Sequence, residues 1–184
     1  MSDPVMILVH PGSMYGSASA LLGPEAAQRG REDVLYEIET WQGGLIVIDG
    51  ALSDEISRAD QDLIEESLDR AAARGAIALR IWGDDGGLPP YPGWSGRGEM
   101  VPVHPDQMEA AKYLAPHLEG SPRLEVIGCW ASPQFEGGGC VNSVAQELRA
   151  AIGSSARVEI NPVSMMDPDL SEDDPESWTD TPEM

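Results

Sequence analysis

The sequence predicts an α/β domain of Rossmann-like type, three layers doubly wound around a mostly parallel sheet of about five strands. This domain spans residues 1–166, and an acidic tail follows over 167–184. Three observations predict it. Five short apolar runs recur along the chain, amphipathic stretches with recognisable caps separate them, and the first two runs are apolar almost throughout. Such continuity marks strands covered on both faces.

The first run is Val5-Met6-Ile7-Leu8-Val9, and a loop, His10-Pro11-Gly12-Ser13-Met14-Tyr15-Gly16-Ser17-Ala18, leaves it. Pro24 suits the first turn of a helix on which Ala27, Val34, Leu35 and Ile38 share a face. Leu45-Ile46-Val47-Ile48 is the second strand. A helix follows Ser57, turns Leu63, Ile64, Leu68 and Ala71 inward and stops at Gly75. The third strand is Ala76-Ile77-Ala78-Leu79-Arg80-Ile81. Pro105 can open the next helix, with Met108, Ala111 and Ala115 as its stripe. The runs Leu124-Glu125-Val126-Ile127 and Arg157-Val158-Glu159-Ile160 alternate, which suits more exposed strands. Between them Asn142 can cap a helix on which Val144, Ala145, Leu148, Ala151 and Ile152 align, and Gly153 can end it. Strand, helix, strand in repetition means right-handed crossovers and a parallel sheet.

Two segments break the pattern. Residues 83–104 form a long Gly/Pro-rich stretch carrying Tyr91 and Trp94, and loops of that length in a domain serve as flaps over a site or are disordered. The tail from Asp167 holds eight acids, three prolines and no base, a composition that favours disorder.

Charge narrows the partners. Asp and Glu number 32 against 11 Lys and Arg, a net −21 in which Lys112 is the only lysine. Such a surface repels phosphates and anionic head groups, so neither nucleic acid nor membrane is an expected partner. Two readings of the acidity compete: a surface that engages a basic protein, or adaptation to a salty cytoplasm or a GC-rich genome. No apolar stretch approaches the roughly 18 residues of a membrane span, and two cysteines make no disulfide framework. The expected location is the cytoplasm, with both thiols reduced.

Ligands of open parallel sheets bind beyond the carboxyl ends of the strands. The residues expected there are His10 and Ser13, Asp49, Asp84 and Asp85, Gly128-Cys129-Trp130, and Asn161. The loop at His10 could hold an anion on its backbone, although it is neither a dinucleotide fingerprint nor a Walker A loop. No cofactor is expected. His10, Asp49, Asp84, Asp85 and His104 match no known ligand spacing, so no metal is expected either.

The richest segment runs from Gly128 through Gly137-Gly138-Gly139 to Cys140. A strand enters a loop, three glycines come next, and a helix starts near a cysteine. Helix N-termini favour thiolates, and glycines let backbone N–H groups approach an oxyanion. Cys140 is therefore the candidate nucleophile, with Gly138, Gly139, Cys129, His10, Ser13, Asp84 and Trp94 as candidate substrate contacts. The alternative is that both cysteines are small buried hydrophobes. A further pairing, His10 with Cys129 as an imidazole–thiol dyad, requires the first and fourth strands to be neighbours.

Cys140-Val141 opening an Ala-rich helix after a strand that ends in Gly resembles the nucleophile segment of the isochorismatase-like cysteine hydrolases. Leu45 to Asp49 is similar to the strand carrying that family's catalytic Asp, and Leu63 to Ile81 follows in matching order. The resemblance covers about residues 45–160. It implies a doubly wound domain in which an Asp–Lys–Cys triad hydrolyses a small amide, ester or vinyl ether, with Asp49 as base or orienter. The chain departs from it in two places. The loop expected to carry the lysine holds only Arg97, Lys112 lying in the helix beyond, and residues 1–40 have no counterpart. Two functions are therefore expected as alternatives: a cysteine-dependent hydrolase of a small molecule, or a non-enzymatic acidic protein that binds a basic partner through its surface and tail.

Overall fold

In the computed structural model, residues 3–83, 103–104 and 106–170 are described. The elements are β1 (Val5–Val9), α1 (Gly16–Leu22), α2 (Pro24–Thr40), β2 (Gly44–Asp49), α3 (Arg58–Ala73), β3 (Ala78–Gly83), β4 (Val103–His104), α4 (Gln107–Leu114), β5 (Arg123–Ala131), α5 (Cys140–Ile152), β6 (Arg157–Ile160) and β7 (Met165–Met166). Asp84, Asp85, Tyr91, Trp94, Arg97, Pro105 and the tail from Ser171 lie outside the described residues.

Every strand pairing among the described residues is parallel, in the order β4-β3-β2-β1-β5-β6, with β7 beside the far end of β5. β1 is the axis of the sheet. Its Val9 stands level with Ile48 of β2 on one side and Gly128 of β5 on the other. All five β1 residues are buried, and they alternate between two cores. Val5, Ile7 and Val9 join Ile46, Ile48 and Val126 under α4 and α5. Met6 and Leu8 join Leu45, Val47 and Ile127 under α1, α2 and α3. The chain winds from β1 outward to β3, then resumes on the other side of β1 with β5. Right-handed crossovers taken in opposite directions put their helices on opposite faces, which produces the three layers.

Several local expectations are corrected. The stretch after His10 is ordered helix rather than open loop: a 3-10 turn over Pro11–Met14 leads into α1. β5 is not an exposed strand. It runs on to Ala131 and is buried from Leu124 to Cys129, because Glu125, whose charge created the alternating pattern, is inside and paired with Arg123 and with Asn161 Nδ2 (2.5 Å). On α4 Met108 is exposed, and the buried stripe is Gln107, Ala110, Ala111 and Leu114. The caps at Ser57 and Gly153 are as expected, Ser57 accepting the Asp60 N–H at 3.2 Å.

Gly128 is needed where it stands. Its φ is +130°, and a Cβ there would lie 2.1 Å from the Val9 carbonyl oxygen. A side chain at this point would push β5 off β1. Gly128→Ala is expected to destabilise the fold by roughly 3 kcal/mol or more, summing backbone strain and overpacking; urea unfolding of the variant against the parent measures it.

Candidate functional site

The winding reverses at β1, and beyond the carboxyl ends of β1 and β5 is where an open parallel sheet of this kind places a ligand. On the β1 side stands His10, buried, with φ 47° and ψ 58°. Its N–H donates to the Ile48 carbonyl (2.8 Å), and its ring Nε2 donates to the Gly83 carbonyl (2.6 Å). The imidazole thus reaches across the end of β2 to β3. Ser13 is half-buried in the following turn, its N–H on the His10 carbonyl (3.0 Å).

On the β5 side the peptide between Cys129 and Trp130 is cis. Cys129 lies within β5 rather than beyond it and has no exposure. Burial, and secondarily the Cys140 thiol, push its pKa well above the ordinary thiol range. It cannot supply a thiolate, although β1 and β5 are the neighbours that pairing it with His10 requires.

The loop from Ser132 to Gly139 is held by side chains of the helix after it. Asn142 Oδ1 accepts the Ser132 N–H (2.9 Å), and its Nδ2 donates to the carbonyls of Gln134 (2.6 Å) and Phe135 (3.2 Å). One turn on, Gln146 Nε2 donates to the carbonyls of Phe135 (3.0 Å) and Gly137 (2.9 Å). Gly139 caps α5 at φ +100°, where a Cβ would come within 2.3 Å of the Trp130 carbonyl oxygen. Cys140 is therefore the first residue of α5, half-buried against the core under α4 and α5. The first hydrogen bond of the helix runs from the Ser143 N–H to the Gly139 carbonyl (2.9 Å). The N–H groups of Cys140, Val141 and Asn142 precede it and stand at the positive end of the helix dipole. Asn142 is an anchor for the loop and not the cap expected of it.

Asp49 and Cys140 are not brought together. Asp49 alternates with Ile48 and so faces α3, whereas Cys140 packs against the other layer. Arg80 lies beside it: Nε–Oδ2 is 2.5 Å and Nη2–Oδ1 is 3.0 Å, with both side chains essentially unexposed. Ser53 Oγ donates to Oδ1 at 3.2 Å, and Gln61 and Glu65 of α3 approach the guanidinium. The strand adjoining β5 is β1, one removed from the strand of Asp49. Lys112 is exposed on α4, and a hydrogen bond to Glu109 (3.3 Å) raises its pKa. It lines a groove with Gly120 and Ile152, near the opposite edge of the sheet. Of the other candidate contacts, Gly138 and Gly139 directly precede Cys140, and Asp84 and Trp94 lie outside the described residues.

Sequence reasoning missed the parts played by Gln146 and Arg80 and gave Asn142 a different one. The signal for Arg80 was present: an arginine inside a buried apolar run must have a partner, and Asp49 was one of the strand-end carboxylates that could supply it.

Among the described residues no group of three or more His, Cys, Asp or Glu side chains is arranged to hold a metal, and no helix is long and apolar enough to cross a membrane. Compared with known proteins, the chain matches no family model, no curated protein and no solved structure.

Two measurements test these assignments. Arg80→Met leaves Asp49 buried without its guanidinium and is expected to cost about 3–5 kcal/mol in urea unfolding; adding Asp49→Leu should recover most of that loss. Cys129 stays protonated in the fold, whereas an unfolded thiol ionises above about pH 8.5. Its contribution is therefore fully present below that pH and is lost as pH rises, at about 1.4 kcal/mol per pH unit. Unfolding curves at pH 8 and pH 10 should diverge less for Cys129→Ala than for the parent.

Proposed function

We propose that this protein is a cysteine-dependent hydrolase of a small amide- or ester-type substrate, with Cys140 as its nucleophile. The observation that carries the reading is the seat of Cys140, on the opening turn of α5 behind a loop that Asn142 and Gln146 tie down. The thiolate sulfur attacks the substrate carbonyl carbon, and the negative charge that develops on oxygen is received by N–H groups of that turn. The amine or alcohol then departs with a proton, and water cleaves the thioester to release the acid and restore the thiol.

A proton carrier is needed for both halves. Asp49 is committed to Arg80 on the other layer, and the His10 ring is turned to the Gly83 carbonyl on β3, away from β5, so neither is assigned that role. The likeness to isochorismatase-like hydrolases supports the thiol. It does not extend to an Asp–Lys pair, since neither Asp49 nor Lys112 sits with Cys140. A reducing cytoplasm is the setting this chemistry requires, because the nucleophile must stay a free thiol.

Turnover of a panel of p-nitrophenyl esters and small primary amides tests the proposal. Cys140→Ala should lower the rate at least about a thousandfold, in the range seen when a nucleophile is removed. A mass increment on Cys140 during turnover would report the acyl-enzyme. Hydrolysis that survives Cys140→Ala sinks the reading. Its rival, the acidic interaction protein suggested by the net charge of −21, predicts instead salt-sensitive capture of a basic protein, unchanged by Cys140→Ala.

A further inference from the structure

After β6 the chain returns to the carboxyl edge of the sheet. Asn161 bridges the way, donating from Nδ2 to Glu125 (2.5 Å) and accepting the Val163 N–H on Oδ1 (2.9 Å). β7 then lies beside Cys129 and Ala131 at the end of β5. Its two side chains straddle the sheet. Met165 is buried in the core under α2, where its methyl group comes within 3.1 Å of the place a Cβ on Gly30 would occupy, and Met166 packs on the opposite core.

Beyond β7 a small turn lies over the nucleophile loop. The Asp167 N–H donates to the Ala131 carbonyl (3.0 Å). The Asp167 carboxylate accepts the Asp169 N–H (2.9 Å), and the Leu170 N–H closes on the Asp167 carbonyl (3.2 Å). Leu170 Cδ1 sits 3.4 Å from where a Cβ on Gly139 would be, and Gly139 is the residue before Cys140. The Leu170 side chain thereby covers the backbone just ahead of the α5 N-terminus. The turn itself is lightly held. Pro168 and Asp169 are exposed, Leu170 is half-buried, and among the described residues a single backbone hydrogen bond joins the turn to β5. β7, in contrast, is anchored in both cores. Segments with few buried contacts and exposed hydrogen bonds open at low cost while their anchors stay put.

We infer that residues 167–170 are an autoinhibitory strap over the Cys140 end of α5, hinged at β7, which must lift before a substrate reaches the thiol. The strap presupposes that Cys140 is the reactive centre. Its test reads access to that sulfur and not turnover, so the two can fail separately.

The rate of Cys140 alkylation, followed by mass spectrometry, is compared in the full chain, a chain ending at Leu170, a chain ending at Met166, and full-length Leu170→Ala. Iodoacetamide and iodoacetate are the probes. Cys129 remaining unlabelled verifies that each form is folded. The chain ending at Leu170 should label like the full chain. Removing 167–170 as well should speed labelling about tenfold, the gain for a site open only a tenth of the time. Leu170→Ala should fall between, and iodoacetate and iodoacetamide should gain alike. Equal rates in the chain ending at Met166 and in the full chain overturn the strap. If the shortened chain labels at Cys129 and is thus unfolded, Leu170→Ala decides: faster labelling supports the strap and an unchanged rate overturns it. Hydrolysis surviving Cys140→Ala would refute the hydrolase reading while leaving this result as measured.

Discussion

The contact between β1 and β5 is the constraint on which the rest of the architecture depends. β1 has no exposed residue, and both its neighbours run parallel to it. A strand buried on both sides and both faces must be apolar throughout, and Val5 to Val9 are. Because the chain leaves β1 on one side and returns on the other, the helices divide between the faces. The same reversal separates the loops that leave β1 and β5: His10 turns from β1 toward β3, and the Cys140 loop follows β5. Gly128 protects this contact: only a residue without a Cβ lets β5 lie against the Val9 carbonyl.

The buried Asp49–Arg80 pair illustrates how a strand-end carboxylate can be structural. Two charges taken out of water are tolerable only when they meet each other with good geometry and further hydrogen bonds. Here the guanidinium lies along the carboxylate, Ser53 donates to the same oxygen as Nη2, and Gln61 reaches the guanidinium from α3. The cluster ties the ends of β2 and β3 to α3, a tie that a pair of apolar side chains would make with less directional specificity. A carboxylate so engaged is a poor proton carrier. Position at the carboxyl edge of a sheet is thus necessary for a catalytic acid but does not identify one, since the face on which the side chain emerges decides what it meets.

That distinction explains how much was legible in the sequence. Apolar runs, caps at Ser57 and Gly153, and the alternation of strands with helices determine the fold class, because they reflect periodicities that each segment carries by itself. Face and order are relational. Glu125 reads as a sign of exposure because one charge in an apolar run resembles a solvent-facing position, yet Arg123 and Asn161 satisfy it inside. Asn142 reads as a helix cap because its side chain suits one. The chain uses that same hydrogen-bonding capacity to hold the preceding loop, while Gly139 starts the helix at a backbone angle closed to other residues. Cys140 was legible as a candidate through the glycines before it. That Asp49 emerges on the opposite layer could not be read without knowing that β1, and not β2, lies beside β5.

The acidity of the chain bears on the site in a way that composition alone does not reveal. A net charge of −21 sets up a repulsive field for anions, screened over about 8 Å at physiological salt. The opening turn of α5 acts the opposite way, but its influence ends within that first turn. An anionic substrate approaching through the acidic surface would be opposed until its last few ångströms. A neutral amide or ester would meet no such obstacle. On the hydrolase reading it would become negative only at the carbonyl oxygen, and only once the sulfur had attacked, when the helix amides would be close enough to stabilise it. On the hydrolase reading, the charge of the whole molecule and the polarity of a single helix turn therefore select for the same thing: substrates that arrive uncharged and acquire charge only in the transition state.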